Sequence, residues 1–123
     1  NIVVKSHPKN PVNPTNYPGL KFELNESPLS DILTNYDVVY SGSITSAVVE
    51  AFYLNIHVIS YLNPCYLNMS PLRGYDAINF ISSTKEFLTT LNLIINTKQN
   101  KYFKINNYFY LDYSLSKWRD LLL

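Results

Sequence analysis

Hydroxyl side chains crowd the junction Ser41-Gly42-Ser43-Ile44-Thr45-Ser46, which leads from an apolar strand over residues 37–40 into a helix carrying Ala47, Val48, Ala51, Phe52 and Leu54. Such a junction suits an oxyanion. The backbone N–H groups at a helix start are unpaired, the helix dipole places about half a positive charge there, and small hydroxyls add donors without obstructing a phosphate. A second segment, Val3-Val4-Lys5-Ser6-His7-Pro8, ends a short apolar run on an imidazole that could hydrogen-bond or protonate a phosphate leaving group. Glu50 stands one helical turn after Ser46 on the same face, where its carboxylate could accept bonds from a ribose diol. Phosphate on Thr45 and Ser46, ribose on Glu50 and His7 beside the phosphate make a nucleotide-shaped set of contacts. Lys5, leaving a strand, and Arg73, in a long loop with Ser70 and Tyr75, are further cations that could reach a phosphate.

Each of these groups also has an ordinary structural role. His7 before Pro8 can cap a strand and bond a loop carbonyl, and the hydroxyls of the junction can N-cap a helix. Glu50 can be a solvated helix residue, Lys5 an edge charge and Arg73 half of a surface ion pair. His57, at the start of a strand, reads as structural, and Cys65 has no neighbouring base to activate it. What favours a site is joint placement. In an open parallel sheet, ligands bind at the carboxyl ends of the strands, and His7 and residues 41–46 both follow strands.

The elements that must hold these groups alternate along the chain. Residues 2–5 read as a strand closed by Pro8, which cannot donate to a ladder. A loop with Pro11, Pro14, Pro18 and Gly19 follows, then a strand over 20–24 with period-two alternation. Ser27 and Pro28 supply an N-cap and a first-turn proline for a helix reaching about residue 36. Strand 37–40, helix 45–54 stopped by Asn55, and strand 57–61 come next. The irregular stretch 62–76 is long enough to be functional or mobile. A short strand over 78–81 precedes a helix capped by Ser83 or Thr84, and residues 101–123 form an aromatic tail ending in a predicted amphipathic helix with Leu115 and Trp118. This alternation predicts an α/β fold, a three-layer Rossmann-like domain with a mostly parallel sheet.

With 123 residues, 46% of them apolar, the chain is expected to form one domain with a real core. Only 15% of residues are charged and the net charge is +1, so the basic stripe that nucleic acid would require is missing. The single cysteine leaves no internal disulfide or zinc framework, and no metal or cofactor is expected. No apolar run reaches the length of about 18 residues that a membrane-spanning helix needs. The chain opens inside a strand, from which we expect a fragment of a longer protein.

Lys5-Ser6-His7-Pro8, then Glu26-Ser27-Pro28-Leu29, Asp37-Val38-Val39, and Thr45-Ser46 with Glu50-Ala51 together resemble the carboxyl-terminal nucleotide-binding domain of bacterial GT-B glycosyltransferases. The likeness is to the surface-polysaccharide group of sialyltransferases, polysialyltransferases and Kdo transferases, and it covers about residues 1–95. These families carry a His-Pro motif and a Ser-Ser or Ser-Thr motif that bind the cytidine monophosphate part of a CMP-sugar. His7-Pro8 matches the first, and Thr45-Ser46 matches the second with threonine in its first place. Glycerophosphotransferases that use CDP-glycerol show similar patterns, so cytidine is better supported than the sugar.

The resemblance implies that His7 contacts the phosphate and assists departure of CMP, with Pro8 beside it. It also implies that Thr45 and Ser46 bind phosphate oxygens and that Glu50 binds the ribose, with Ser43 a further nucleotide-binding residue. It implies an inverting, metal-independent transferase of lipopolysaccharide or capsule synthesis at the cytoplasmic face of the inner membrane. The donor would be a nucleotide sugar and the acceptor a saccharide or a lipid-linked saccharide. The catalytic base belongs to a missing amino-terminal domain, so this chain alone is expected to be inactive. The tail is expected to touch that domain, with membrane lipid as the alternative contact. Two rival functions are a phosphosugar-binding regulatory module, because the hydroxyl-rich loop also resembles that of sugar isomerase domains, and a non-catalytic interaction domain.

Overall fold

The computed structural model describes residues 1–42, 44–97 and 120–121. The predicted tail therefore lies outside the described residues except for Asp120 and Leu121, which are helical, and Ser43 lies outside them as well. In chain order the strands and helices are β1 (Val3–Val4), β2 (Glu23–Leu24), α1 (Leu29–Ile32), β3 (Val38–Gly42), α2 (Ala47–Tyr53), β4 (His57–Tyr61), β5 (Asn79–Ile81) and α3 (Thr84–Thr97). The fold is mixed α/β, and every strand pair is parallel.

One mostly parallel sheet was the expectation; the described strands form two, β1-β2 and β3-β4-β5. Two-residue strands carry few ladder bonds, and β1 and β2 pair only through Val3 with Glu23 and Val4 with Leu24. Lys5 ties this pair together beyond its ladder, its Nζ donating to the Glu26 carbonyl at 2.9 Å. The helix predicted to reach about residue 36 is α-helical for one turn only and then tightens to a 3-10 turn, Leu33–Asn35. Its start also differs. Pro28 occupies the cap position without a side-chain bond, and Ser27 instead donates its N–H to Asn25 Oδ1 at 2.9 Å.

The larger sheet is covered on both faces, as parallel sheets require. Register aligns Val39 with Val58 and Tyr40 with Ile59, and side chains alternate along a strand, so Val39 and Tyr40 point to opposite faces. On the first face Val39, Val58 and Phe80 pack with Val48, Ala51 and Phe52 of α2. Those three helix positions recur at the helical period, which puts all of them inward. Leu72, from the long loop, and Ile78 complete the same cluster. On the second face α3 approaches β4 and β5, and Phe87 meets the Tyr40 ring at 4.9 Å.

Helix termini follow local chemistry closely. α2 ends in a left-handed Asn55 (φ 59°), with Asn55 N–H donating to Phe52 O and Ile56 N–H to Ala51 O, both at 3.0 Å. This is the Schellman pattern. It satisfies the last carbonyls and turns the chain at once into β4. At the start of α3, Ser83 Oγ accepts the Glu86 N–H at 3.2 Å, while the Glu86 carboxylate accepts the Ser82 N–H at 2.7 Å and the Ser82 hydroxyl at 3.1 Å. The reciprocity is that of a capping box displaced by one residue.

The Ser82 backbone bond, followed by the Ser82 hydroxyl, holds the Glu86 carboxyl below its ordinary pKa. A carboxyl with a depressed folded pKa stabilises the fold above its unfolded pKa, and that contribution is lost as pH falls through the lower folded value. We expect α3 to lose protection on acidification through this range, and Glu86→Ala to flatten that acid response. Carbon NMR titration of the Glu86 carboxyl checks it: a midpoint at or above that of the unfolded chain excludes the cap.

Candidate functional site

The strand-to-helix junction after β3 is assembled from Ser41, Thr45, Ser46 and Glu50. α2 begins at Ala47, two residues later than the spacing suggested, because the Thr45 side chain takes the first helical amide for itself. Its Oγ1 accepts the Ala47 N–H at 3.1 Å. Ser41 Oγ lies 3.4 Å from the same oxygen. The ordinary role weighed for these hydroxyls is thus realised at Thr45. It does not exhaust the residue, since a hydroxyl whose oxygen is occupied as an acceptor still has a proton to donate.

Ser46 is exposed, makes no side-chain cap bond, and uses its carbonyl to accept the Val49 and Glu50 N–H groups at 2.9 and 3.2 Å. Its hydroxyl is available to a ligand. Glu50 is exposed one turn further along the same helix face. The three residues read from the sequence as phosphate and ribose contacts therefore sit together at the carboxyl end of β3. Among the described residues, no three His, Cys, Asp or Glu side chains cluster as a metal would need.

His7 and Pro8 occupy a turn after β1. The His7 carbonyl accepts the Asn10 N–H at 2.9 Å, and its ring Nδ1 accepts the Lys9 N–H at 3.1 Å. A neutral imidazole that accepts at Nδ1 carries its proton on Nε2. The exposed ring thereby presents an N–H donor to the surroundings. Ser6 secures the loop beyond, its Oγ accepting the Val12 N–H at 3.2 Å. Among the described residues no hydrogen bond connects His7 with Thr45, Ser46 or Glu50, so the two halves of the predicted constellation stand on separate sheets.

The two further cations are held by backbone. Lys5 donates to Glu26 as described, and Arg73 Nη1 reaches the Ser70 carbonyl at 3.5 Å from an exposed position. Their loop settings differ. The segment around Arg73 is anchored by the fully buried Leu72 and Ser70, with Ser70 Oγ accepting the Leu72 N–H at 3.2 Å and Ser70 N–H donating to Asn68 Oδ1 at 3.0 Å.

Ser60 is a residue that spacing along the sequence does not single out. It stands fully buried in β4, its Oγ has no hydrogen-bond partner among the described residues, and its register neighbour is Ser41. A buried hydroxyl without a partner costs about 1–3 kcal/mol, so its retention in a strand core asks for a reason. The sequence signal was a small hydroxyl side chain directly after the apolar pair Val58-Ile59 in the strand His57-Val58-Ile59-Ser60-Tyr61.

No protein family, curated protein or solved structure matches the chain.

Proposed function

We propose that this chain is the donor-binding domain of an inverting, metal-independent glycosyltransferase, a three-layer Rossmann-like half of a GT-B fold that holds the CMP part of a CMP-sugar. The observation that supports the reading best is the hydroxyl junction after β3, where Thr45 and Ser46 keep donors available at the carboxyl end of a parallel sheet and Glu50 is exposed one turn away. In this reading the turn after β1 and the junction after β3, each following the carboxyl end of a parallel strand, serve one nucleotide.

Thr45 and Ser46 donate to phosphate oxygens, the Glu50 carboxylate accepts from the ribose hydroxyls, and His7 donates its Nε2 proton toward the phosphate. The acceptor oxygen, deprotonated by a base on another domain, attacks the anomeric carbon while the bond from that carbon to the CMP oxygen breaks. His7 and the hydroxyls then offset the charge that appears on departing CMP. Lys5 braces the end of β1 through the Glu26 carbonyl and so holds the turn that carries His7. The enzyme works on surface saccharides or lipid-linked saccharides at the cytoplasmic face of the membrane.

Titrating the chain with CMP, UMP and glucosamine 6-phosphate under NMR observation tests this. CMP is expected to shift the His7, Thr45 and Ser46 resonances, and His7→Ala to weaken CMP binding about tenfold, the worth of one charge-assisted hydrogen bond. A preference for glucosamine 6-phosphate that is indifferent to His7 would favour a phosphosugar-binding module. Silence with all three ligands removes the nucleotide site.

A further inference from the structure

We infer that Ser60 is a positioning residue of the phosphate site: its hydroxyl donates to Ser41, Ser41 donates to Thr45, and the Thr45 proton is thereby turned toward a bound oxyanion. The inference rests on the reading of Thr45 as a phosphate contact and adds what sets the direction of its proton.

Three observations carry it. Ser41 and Ser60 are register partners on adjacent parallel strands, so their side chains share one face at the carboxyl end of the sheet. Neighbouring strands lie about 4.8 Å apart, a span that two serine side chains can bridge. The other same-face neighbours of Ser60 in the sheet are Phe80 across the ladder and Val58 two residues earlier, so Ser41 is its polar neighbour across the ladder. Ser60 Oγ is nonetheless unpartnered and fully buried, while the Ser41 to Thr45 contact is long at 3.4 Å against a usual hydroxyl distance of about 2.7–2.8 Å. The row of hydroxyls is therefore present but slack.

Counting donors and acceptors gives the row a direction. Thr45 Oγ1 already accepts the Ala47 N–H. If it also accepts from Ser41, both of its acceptor sites are filled and its own proton has to go outward. Ser41 can act as that donor while accepting from Ser60, whose hydroxyl has no partner among the described residues. Each hydroxyl in the chain then gives one bond and receives at least one, except the buried terminus. An oxyanion on Thr45 polarises the row and tightens it, because hydrogen bonds in series strengthen one another. A ligand without an oxyanion gains nothing from it.

Calorimetric titration of the whole chain with CMP, cytidine and inorganic phosphate, using Ser60→Ala, Ser60→Cys, Ser41→Ala and the Ser41→Ala/Ser60→Ala double variant, tests the relay. Ser60→Ala is expected to weaken CMP and phosphate about three- to tenfold, the worth of one neutral hydrogen bond, and to leave cytidine unchanged. Ser60→Cys leaves no cavity but offers only a weak donor, and should behave like the alanine variant. The double variant should lose no more than Ser41→Ala alone. The relay fails if the wild type binds CMP and Ser60→Ala matches it, if the two single losses multiply, or if cytidine weakens equally. A wild type that binds none of the three ligands overturns the donor-site reading and the relay together.

Discussion

Truncating Phe52 to alanine should lower the unfolding free energy by about 3–5 kcal/mol, the range for an aromatic removed from a close-packed interior. Phe52 is the largest of the fully buried side chains and packs between elements distant in sequence. It shares the cluster with Val48 and Ala51 from its own helix, Val58 from β4 and Leu72 from the long loop, and it meets the Tyr75 ring edge-on at 5.4 Å. The cavity would open under α2 and the loop at the same time. A loss of this size is a large share of the stability of an ordinary domain, about 5–15 kcal/mol. Urea unfolding of the variant measures it. A midpoint equal to that of the wild type would mean that α2 does not hold the loop to the sheet.

Thr45→Val should cost less in stability and far more in ligand binding. Valine retains the shape but not the oxygen that accepts the Ala47 N–H, so the folded state loses a cap worth about 0.5–2 kcal/mol. The proton offered to the phosphate is lost as well. A hydrogen bond to a charged group contributes about 1.5–3 kcal/mol, so CMP affinity should drop by about ten- to a hundredfold. Cytidine, which has no phosphate, should bind as before. Thr45→Ser keeps the hydroxyl and should keep most of the affinity. Equal CMP affinity in the valine variant would show that Thr45 is a helix cap and nothing more.

These two residues also mark how far local sequence reasoning reaches. β4 falls on residues 57–61 as the apolar run indicated, because Val58, Ile59 and Ser60 are all buried and a strand covered on both faces needs no alternation. Asn55 ends α2 as its tolerance of left-handed backbone suggests. The start of α2 was legible in kind but displaced, because Thr45 competes with the helix for its first amide. Helix α1 is shorter than its Ser-Pro start suggests. No residue in it supplies a side-chain cap, and a single α-helical turn passes into a 3-10 turn where Ile32 and Leu33 are buried.

Of the candidate site, the grouping of Thr45, Ser46 and Glu50 was visible in the sequence because it depends on spacing along one strand-to-helix junction. The placement of His7 relative to that group was not, since it depends on which strand pairs with which, a choice between partners far apart in the chain. β1 and β2 pair with each other through two residues, and their ladder does not extend to β3.

By itself the sequence determined the alternation of strands and helices, the hydroxyl junction after β3, the stop at Asn55 and a net charge of only +1, all consequences of residue type and near-neighbour spacing. Only the tertiary structure decided that the strands divide into two parallel sheets, that Phe52 joins the long loop to α2, and that Ser60 lies buried beside Ser41 on the face of the junction. Register and burial are properties of paired strands. A serine in a strand has no face until its neighbours across the ladder are known.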